Sequence, residues 1–522
     1  MFSENSENNC VIKKISLPTQ TRELVSDLSL PDYLPDVSRL LRTSASIGGE
    51  SSFVGSGSAE YDGEISYTVI YATSDGRIKS VSLTSGFSGS ASIPDDMTGC
   101  ECEVSTCLDG VFCRLQNPRR LSLRCKLKVS CDLYSQRSAE PVISGKLSPE
   151  EEANVQKRFG ECRTVKRICA RDENVPVSED VELEGHEAAV GELISVCLTP
   201  YIYESKAGMG TISYRGDVIC EIIYLAANTS DDAEYTSVRR KIAIEGEVAA
   251  DGVSEGFMVT ACAGVSGVEY RTQANAFGEN RTVEVDFSYT VQLTAFSNAC
   301  VETVTDMYST DYASKTEETS LESREAIRAA SFNFSIDGAV PLDEKEYDRV
   351  VSSSAEAVIE ETFVSGQKMV FAGSAEVSVI LANGAGSYIG RTFKLPIRAE
   401  SDIGREAHSA ECLCSLSVLS VYARADGGEI RAEAELGITY CAFDTGECRA
   451  VGRCSVMKEL PTKKALPSQI TICYPSDEDD LWSIAKRYGS TERAVSAEND
   501  LGGGALGNVI VIPNESRKKT VF

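Results

Sequence analysis

The sequence predicts a mainly β protein, with three tandem β-sandwich-like repeats followed by a small α+β domain of strand–helix–helix–strand (βααβ) order. Three observations support this prediction. A glycine-led apolar segment occurs three times, and a segment of alternating apolar and polar residues occurs three times in the same order. Helical periodicity with capping residues then occurs near the C-terminus.

The first repeated segment reads GEISYTVIY at 63–71, GDVICEIIY at 216–224 and GSAEVSVIL at 373–381. In each copy a glycine precedes a run rich in β-branched and aromatic residues, which favours a strand. The three glycines are separated by 153 and 157 positions. This spacing is far longer than that of solenoid repeats and indicates whole domains.

The second repeated segment ends at an aromatic residue, at Tyr134, Phe296 and Phe443. Apolar and polar residues alternate strictly in its first two copies, over 121–133 and 283–293. A period of two places one set of side chains on a core and the other set in water. We therefore predict antiparallel sheets with one solvated face.

The domain boundaries follow from these repeats and from the polar stretches between them. Residues 148–157 predict a short helix, with Ser148 as N-cap and Pro149 in its first turn. We expect a polar N-terminal segment, three repeats with linkers, a C-terminal domain and a basic tail. Their bounds are 1–24, 25–140, 141–177 (linker with the helix), 178–310, 311–325 (linker), 326–457, 458–468 (linker), 469–513 and 514–522. The alternative is that the copies exchange strands and form fewer, larger units.

The C-terminal domain shows its own pattern. A short strand over 470–473 is followed by Asp480, which can cap a helix that Gly489 ends. The apolar positions of this helix follow the i, i+3, i+4, i+7 rule: Leu481, Ile484, Ala485 and Tyr488. A second helix over 491–498 and a strand over 507–513 complete the unit.

Composition excludes several classes of protein. The chain has 522 residues, with 51 Lys+Arg against 79 Asp+Glu and a formal net charge of -28. Such a charge repels phosphate backbones and anionic lipids, so we expect no nucleic-acid partner. Two histidines and one tryptophan leave little material for a metalloenzyme or a His-dependent hydrolase. We therefore expect that the protein is not an enzyme.

Targeting signals are also missing from the sequence. The first twenty residues have no apolar core of signal-peptide length, and no run of about 18 apolar residues occurs. We therefore expect no membrane insertion and a cytoplasmic location, where the 19 cysteines stay mostly as free thiols. The alternative for these cysteines is late oxidative cross-linking.

The sequence contains one cluster of potential metal ligands. Four cysteines lie within fourteen residues: Cys100, Cys102, Cys107 and Cys113. Their spacing lacks the paired C-x2-C arrangement of zinc sites, and strand alternation explains Cys100 and Cys102. No phosphate-binding loop or nucleophile elbow occurs in the sequence. We predict no metal site and no cofactor.

The C-terminal domain resembles the LysM domain, through LWSIAKRYG at 481–489, a polar second helix ending at Asn499, and GNVIVIP at 507–513. LysM domains bind N-acetylglucosamine glycans in a groove between the loop before the first helix and the loop after the second. Here the first loop holds four acids and the second lacks the customary proline. The resemblance implies a binding surface formed by these loops and the rim beside them: Asp477, Glu478, Asp479, Asp480, Trp482, Asn499, Asp500 and Leu501.

The repeats resemble the SPOCS domain of endospore-forming bacteria, through LPDYLPDVSRLL at 30–41, YTVIY at 67–71 and the Ser-Asp-Gly turn at 74–76. The PDYLPD element is absent or degraded in the second and third copies. SPOCS copies followed by a LysM are similar to the SipL-type spore coat morphogenetic proteins. This resemblance implies a non-enzymatic scaffold or adaptor made in the mother-cell cytoplasm. Its LysM would dock on the coat's basement-layer ATPase and help to anchor the coat at the forespore surface.

Two functions from different classes remain open at this point. The first is the spore coat scaffold, and the second is a peptidoglycan- or N-acetylglucosamine-binding protein that acts through the LysM. Missing export and the altered loop favour the scaffold. Trp482 lies off the helical stripe that packs on the sheet, so it either covers the edge of the small core or forms a partner-binding rim. The acids of 477–480 would then steer a basic partner surface.

Overall fold

A computed structural model describes residues 9–55, 57–97, 99–144, 147–227, 234–407, 409–462, 471–499, 501 and 506–513. The described chain is mainly β, with long antiparallel strands and three short α-helices. The prediction of a mainly β protein is therefore confirmed.

The first repeat contains seven strands and one turn of 3-10 helix. Strands β3, β4 and β5 form one antiparallel sheet. The second sheet is built around β7, which pairs with β6 along one edge and with both β1 and β2 along the other. The elements are β1 (Cys10–Ser16), β2 (Gln20–Ser29), β3 (Val37–Val54), β4 (Ser58–Thr73), β5 (Ile78–Ser92), the 3-10 turn (Asp95–Met97), β6 (Glu101–Asn117) and β7 (Arg120–Ser138).

The second repeat has the same order of strands in two sheets. Strands β10, β11 and β12 form the first sheet, and β13, β14 and β9 form the second. The elements are β9 (Val155–Glu182), β10 (Val190–Ala207), β11 (Thr211–Ala226), β12 (Tyr235–Ala249), β13 (Met258–Ala274) and β14 (Asn280–Ser309).

The third repeat follows the same plan. Its first sheet has the order β16-β17-β18 and its second the order β15-β20-β19. Between the first and second repeats lie β8 and the helix α1, and β8 pairs in parallel with β20. The elements are β8 (Val142–Ser144), α1 (Pro149–Glu152), β15 (Tyr312–Pro341), β16 (Tyr347–Ser365), β17 (Lys368–Asn383), β18 (Tyr388–Asp402), β19 (Ala410–Asp426) and β20 (Glu429–Pro461).

Each repeat buries one core between its two sheets. In the first repeat, Ile65, Tyr67 and Val69 of β4 pack in the same cluster as Leu123 and Leu127 of β7. These residues come from the two repeated sequence segments, which form the central strands of the facing sheets. Their alternation therefore reports the burial of one face of each sheet, as predicted.

The first sheets of the three repeats meet at a further apolar cluster, here called the central cluster. Its members come in sets of three, with one residue from each repeat. In the first three sets the residues are separated by 153 and 157 positions, as the repeated glycines are. In the fourth set each residue is the first of its strand, in β5, β12 and β18. The sets are Leu41, Ile194 and Val351; Ile70, Ile223 and Ile380; Ala72, Leu225 and Ala382; and Ile78, Tyr235 and Tyr388. Contacts run in a cycle from β5 to β10, from β12 to β16 and from β18 to β3. The three repeats thus close around an approximate threefold axis.

Most residues of the first two predicted linkers form strands instead. Of the segment 141–177, residues 155–177 belong to β9, and residues 312–325 of the segment 311–325 belong to β15. Each is the first strand of the repeat that follows it. The sequence does not reveal these strands because both of their faces are largely polar. Between residues 312 and 325, for example, only Leu321 and Arg324 are buried.

The polar N-terminal segment 1–24 is also assigned wrongly where the structure describes it. Residues 10–16 form β1 and residues 20–24 belong to β2, both paired with β7. These two strands replace the single long first strand of the other repeats, and Pro18 lies at the break between them. A proline has no backbone N–H to donate to a sheet, which accounts for a break at this point.

The short helix before the second repeat is confirmed at its predicted start. Ser148 caps α1, Pro149 is its first residue, and Ser148 and Glu151 form a reciprocal capping box. Of the last linker, residues 458–461 end β20, while 463–468 lie outside the described residues, as does the basic tail 514–522.

The long strands β9, β14, β15 and β20 continue past the repeat cores. Their continuations share a smaller cluster that includes Val155, Val304, Met307 and Cys454. The C-terminal domain packs at this end, on β14. This domain, here called the C-terminal module, contains β21 (Thr471–Cys473), α2 (Leu481–Tyr488), α3 (Glu492–Glu498) and β22 (Ile510–Ile512).

Candidate docking surface of the C-terminal module

The elements of the module follow the order strand, helix, helix, strand. Asp480 caps α2 by accepting a hydrogen bond from the backbone N–H of Ser483, and Gly489 ends this helix in a left-handed conformation (φ 63°). Thr491 caps α3 and Asn499 follows its last residue. Strands β21 and β22 pair in antiparallel register. The small core consists of Cys473, Ile484, Ala485, Val495, Ile510 and Ile512.

Trp482 lies between this module and the β repeats. It is only 5% exposed, and its ring meets Tyr308 of β14 edge to face, with ring centroids 5.0 Å apart. The indole Nε1 donates a hydrogen bond to Asp306. The hypothesis of an exposed, partner-binding rim at Trp482 is therefore wrong. The helical stripe faces the module's own core, and the residue beside it is buried by the rest of the chain.

Polar contacts surround this aromatic pair. The ammonium of Lys486 lies 2.7 Å from both carboxylate oxygens of Asp306, and the hydroxyl of Tyr308 donates a 2.8 Å hydrogen bond to the carbonyl of Ser490. Desolvation raises the pKa of Asp306, but the hydrogen bonds from Lys486 and Trp482 outweigh it and leave the pKa below its ordinary value. The charged form of Asp306 therefore fastens the module to β14.

The four acids of 477–480 divide into two pairs. Asp479 accepts hydrogen bonds from the backbone N–H and hydroxyl of Ser476, each of 2.9 Å. These bonds and an ion pair with Arg487 lower its pKa to about 2. Asp480 caps α2 and also accepts a 2.9 Å hydrogen bond from Arg158 of β9. Asp477 and Glu478 are exposed. Of the four acids, only these two are classed as exposed.

The predicted residues after α3 have structural contacts. Asn499 donates to the carbonyls of Val495 and Val511 and accepts from the N–H of Val511, at 2.7–2.8 Å. It therefore ties the end of α3 to β22. Leu501 is partly buried against the module core. Asp500 lies outside the described residues.

Sequence reasoning missed the opposite face of the module. Ile472 and Tyr474 are 48% and 75% exposed, and Val509 is 48% exposed. Ile472 pairs in register with Val511, and Cys473, between Ile472 and Tyr474, points inward with Ile510. The strands are apolar on both faces, so their composition alone did not separate an outward face from the core.

These four residues (Ile472, Tyr474, Val509 and Val511) are here called the outer face of the module. Asp477 and Glu478 follow it in the chain, with Tyr474 only three positions before Asp477. The surface therefore offers apolar and aromatic contact area with carboxylates close by in sequence. Such a combination suits the docking of another macromolecule.

Comparison with family models, curated proteins and solved structures gave no match to this chain. Within the described ranges, no group of three or more His, Cys, Asp and Glu side chains is arranged to hold a metal ion. No helix in the described part of the chain has the length and hydropathy needed to cross a membrane.

Proposed function

We propose that this chain is a non-enzymatic scaffold or adaptor of the endospore coat, working from the mother-cell cytoplasm at the forespore surface. Its C-terminal module docks on a morphogenetic ATPase of the coat's basement layer. The sequence resemblance to SPOCS repeats followed by a LysM supports this proposal. The outer face of the module is the observation that carries it.

The outer face exposes apolar area at several neighbouring positions. An isolated exposed apolar side chain is common, but Ile472 of β21 is exposed together with Tyr474 and Val509, which adjoin the paired strands β21 and β22 in the chain. Tyrosine is favoured at interfaces because it buries a large area at a low entropy cost. Asp477 and Glu478 would raise the association rate with a basic partner surface.

The anchoring of the module supports the same role. Trp482, Lys486 and Asp480 bind to β14 and β9 through the inner side of the module. The outer face is thereby presented in one orientation relative to the repeats. A partner bound there is connected to three large β domains, each of which has further surface for the assembly of a coat.

The test uses the purified full-length chain and the purified coat ATPase, with binding measured by biolayer interferometry. The double variant Ile472→Ser and Tyr474→Ala should weaken binding at least tenfold, because it removes the central apolar contacts. Phe277→Ala is the matched control. Phe277 is 90% exposed on the hairpin between β13 and β14, and its removal should leave affinity unchanged.

Neutralising the charges tests the steering role. Asp477→Asn with Glu478→Gln should slow association and flatten its dependence on salt, while dissociation changes little. Equal affinity of the wild type and the Ile472/Tyr474 variant would contradict docking through the outer face. Salt-resistant retention of the chain on insoluble peptidoglycan, without binding to the ATPase, would favour the glycan-binding function instead.

A further inference from the structure

Two cysteines from different repeats lie against each other. Cys162 belongs to β9 of the second repeat and Cys448 belongs to β20 of the third. Their thiols share a hydrogen bond, although the two residues are 286 positions apart in the chain. They are here called the inter-repeat thiol pair.

Backbone contacts place the two thiols at the same point of the interface. The Sγ of Cys162 lies 3.9 Å from the carbonyl oxygen of Glu322 in β15. The Sγ of Cys448 lies 3.9 Å from the carbonyl oxygen of Glu161 in β9. Cys448 is directly opposite Leu321 in the register of β15 and β20, and Leu321 and Cys162 belong to one apolar cluster. The thiols therefore meet because β9 packs on β15 and β20.

Polar contacts hold these strands together beside the thiols. Arg163, the residue after Cys162, forms a 2.7 Å ion pair with Glu325 of β15. Asn298 of β14 donates a 2.9 Å hydrogen bond to the carbonyl of Ala326 and accepts a 2.8 Å hydrogen bond from its N–H. These bonds fix the second repeat against the first strand of the third. A disulfide brings two sulfur atoms to about 2.0 Å and therefore needs thiols that are held close together.

Two other pairs of thiols are in contact, and each lies within a single repeat. Cys102 and Cys131 lie on the neighbouring strands β6 and β7, and Cys412 and Cys414 lie two positions apart in β19. A disulfide at either place would close a short loop inside one repeat. A disulfide at the inter-repeat thiol pair would close a loop through most of the second and third repeats, and a longer loop removes more entropy from the unfolded chain.

The two thiols of the pair differ in their surroundings. Cys162 is fully buried, and desolvation together with the hydrogen bond to Cys448 raises its pKa well above the ordinary value. It is therefore a neutral thiol at neutral pH. Cys448 is only partly buried, so a small oxidant reaches this sulfur first.

We propose that the inter-repeat thiol pair is an oxidation site, at which hydrogen peroxide converts Cys162 and Cys448 to a disulfide that joins the second repeat to the third. The thiolate of Cys448 attacks one peroxide oxygen, the O–O bond breaks, and a sulfenic acid and hydroxide form. The sulfur of Cys162 then attacks the sulfenic sulfur, and the S–O bond breaks as the S–S bond forms. The hydroxyl leaves with the proton of Cys162 as water. In total, two thiols are oxidised and one peroxide is reduced to two waters.

This bond would lock the closed arrangement of the three repeats. The central cluster joins the repeats only by non-covalent contacts, which separate when the chain unfolds. The disulfide would keep the second and third repeats connected through such an opening. The site is separate from the outer face of the module, so the inference does not depend on the proposed function.

The test uses the full-length chain, oxidised with hydrogen peroxide in the folded state and, separately, in concentrated urea. The remaining thiols are blocked with N-ethylmaleimide, and tryptic peptides are analysed by mass spectrometry without reduction. The peptide 159–163 should be linked to the peptide 432–449, with fragment ions that place the bond at Cys448 and not at Cys441. This linked pair should be at least about tenfold more abundant from the folded chain, because the fold holds the two thiols together.

Three variants test the assignment. Cys162→Ala and Cys448→Ala should each abolish the linked pair. Cys300→Ala is the matched control, since Cys300 is an exposed cysteine opposite Arg163 in β14, and its loss should leave the link unchanged. Oxidation of the wild type should move the midpoint of urea unfolding to a higher concentration, and dithiothreitol should reverse the shift. Cys448→Ala should lack this shift.

Several outcomes would overturn the proposal. It fails if the folded chain gives no more of the linked pair than the unfolded chain, or if Cys162 links to Cys300 instead. It also fails if the linked peptides come only from disulfide-bonded dimers, which a non-reducing gel separates from the monomer. An unchanged unfolding midpoint after complete oxidation of the pair would contradict the lock. Equal midpoints of the variants and the wild type under reducing conditions establish that the variants are folded.

Discussion

The indole Nε1 of Trp482 donates a 2.8 Å hydrogen bond to a carboxylate oxygen of Asp306, 176 positions earlier in the chain. This bond joins the first helix of the C-terminal module to the end of β14. Because Trp482 is the only tryptophan in the sequence, its fluorescence reports the state of this junction alone.

Trp482→Ala should destabilise the module and loosen it from β14. Removing a buried tryptophan costs about 3–5 kcal/mol, and Trp482→Phe, which keeps a ring but loses the hydrogen bond, should cost less. Hydrogen exchange of the α2 amides measures both effects. Tyr474→Ala, on the outer face, serves as the control. Unchanged protection of α2 in Trp482→Ala would contradict a structural role for this residue.

Acid should release the module from β14. The pKa of Asp306 is below its ordinary value of 3.8, so its contribution to stability is present above that pH and is lost as the pH falls through the lower folded-state pKa. We expect the emission of Trp482 to shift to longer wavelength over this acidic window. In Asp306→Asn the shift should already be present at pH 7, and an unshifted emission there would argue against the proposed contact.

Gly390→Ala should destabilise the contact between the third and first repeats. An added Cβ would overlap the carbonyl oxygen of Leu41, which is backbone and cannot move away alone. Overpacking of this kind costs about 1–3 kcal/mol. Gly384→Ala is the matched control, because a Cβ there meets no described atom within 4 Å. Urea unfolding of both variants measures the difference, and equal stabilities would contradict the close contact.

Glu356 should make stability fall as the pH rises. Desolvation raises the pKa of Glu356 to about 7 from an ordinary 4.5, and the charge of Glu376 raises it further. A hydrogen bond from the backbone N–H of Ala45 and the positive charge of Arg42 oppose this shift. The native state therefore binds more protons than the unfolded chain between pH 4.5 and 7, and stability declines across that window. Glu356→Gln should be more stable than wild type at pH 8 and nearly equal at pH 4. Urea unfolding at both pH values measures this, and the exposed Glu433→Gln should show no such difference.

The sequence predicts the central strands well because their signals are local. The repeated glycines at 63, 216 and 373 fall within β4, β11 and β17, and the alternating segments fall within β7, β14 and β20. The caps of α1, α2 and α3 are also at the predicted residues, since a capping side chain bonds only to its own helix.

The first strands of the second and third repeats were not predicted, because their pairing depends on distant partners. Residues 312–325 have few buried side chains and read as a linker, yet they pair along β20. The burial of Trp482 likewise depends on residues that are distant in the sequence. Helical periodicity places it beside the module's core stripe, but only Asp306 and Tyr308 of β14 explain its burial.

Closure of the three repeats has a consequence for synthesis of the protein. Arg42 of the first repeat donates hydrogen bonds to Ser352 and Ser354 of the third, more than 300 positions later. While the ribosome is still making the third repeat, the central cluster lacks the residues that this repeat contributes: Val351, Ile380, Ala382 and Tyr388. The closed arrangement of the three repeats can therefore form only after most of the chain has left the ribosome. Contacts between residues so far apart in sequence slow folding. Until the third repeat is in place, the partly folded chain exposes apolar residues of the central cluster, so this intermediate is the form that would aggregate or bind a chaperone.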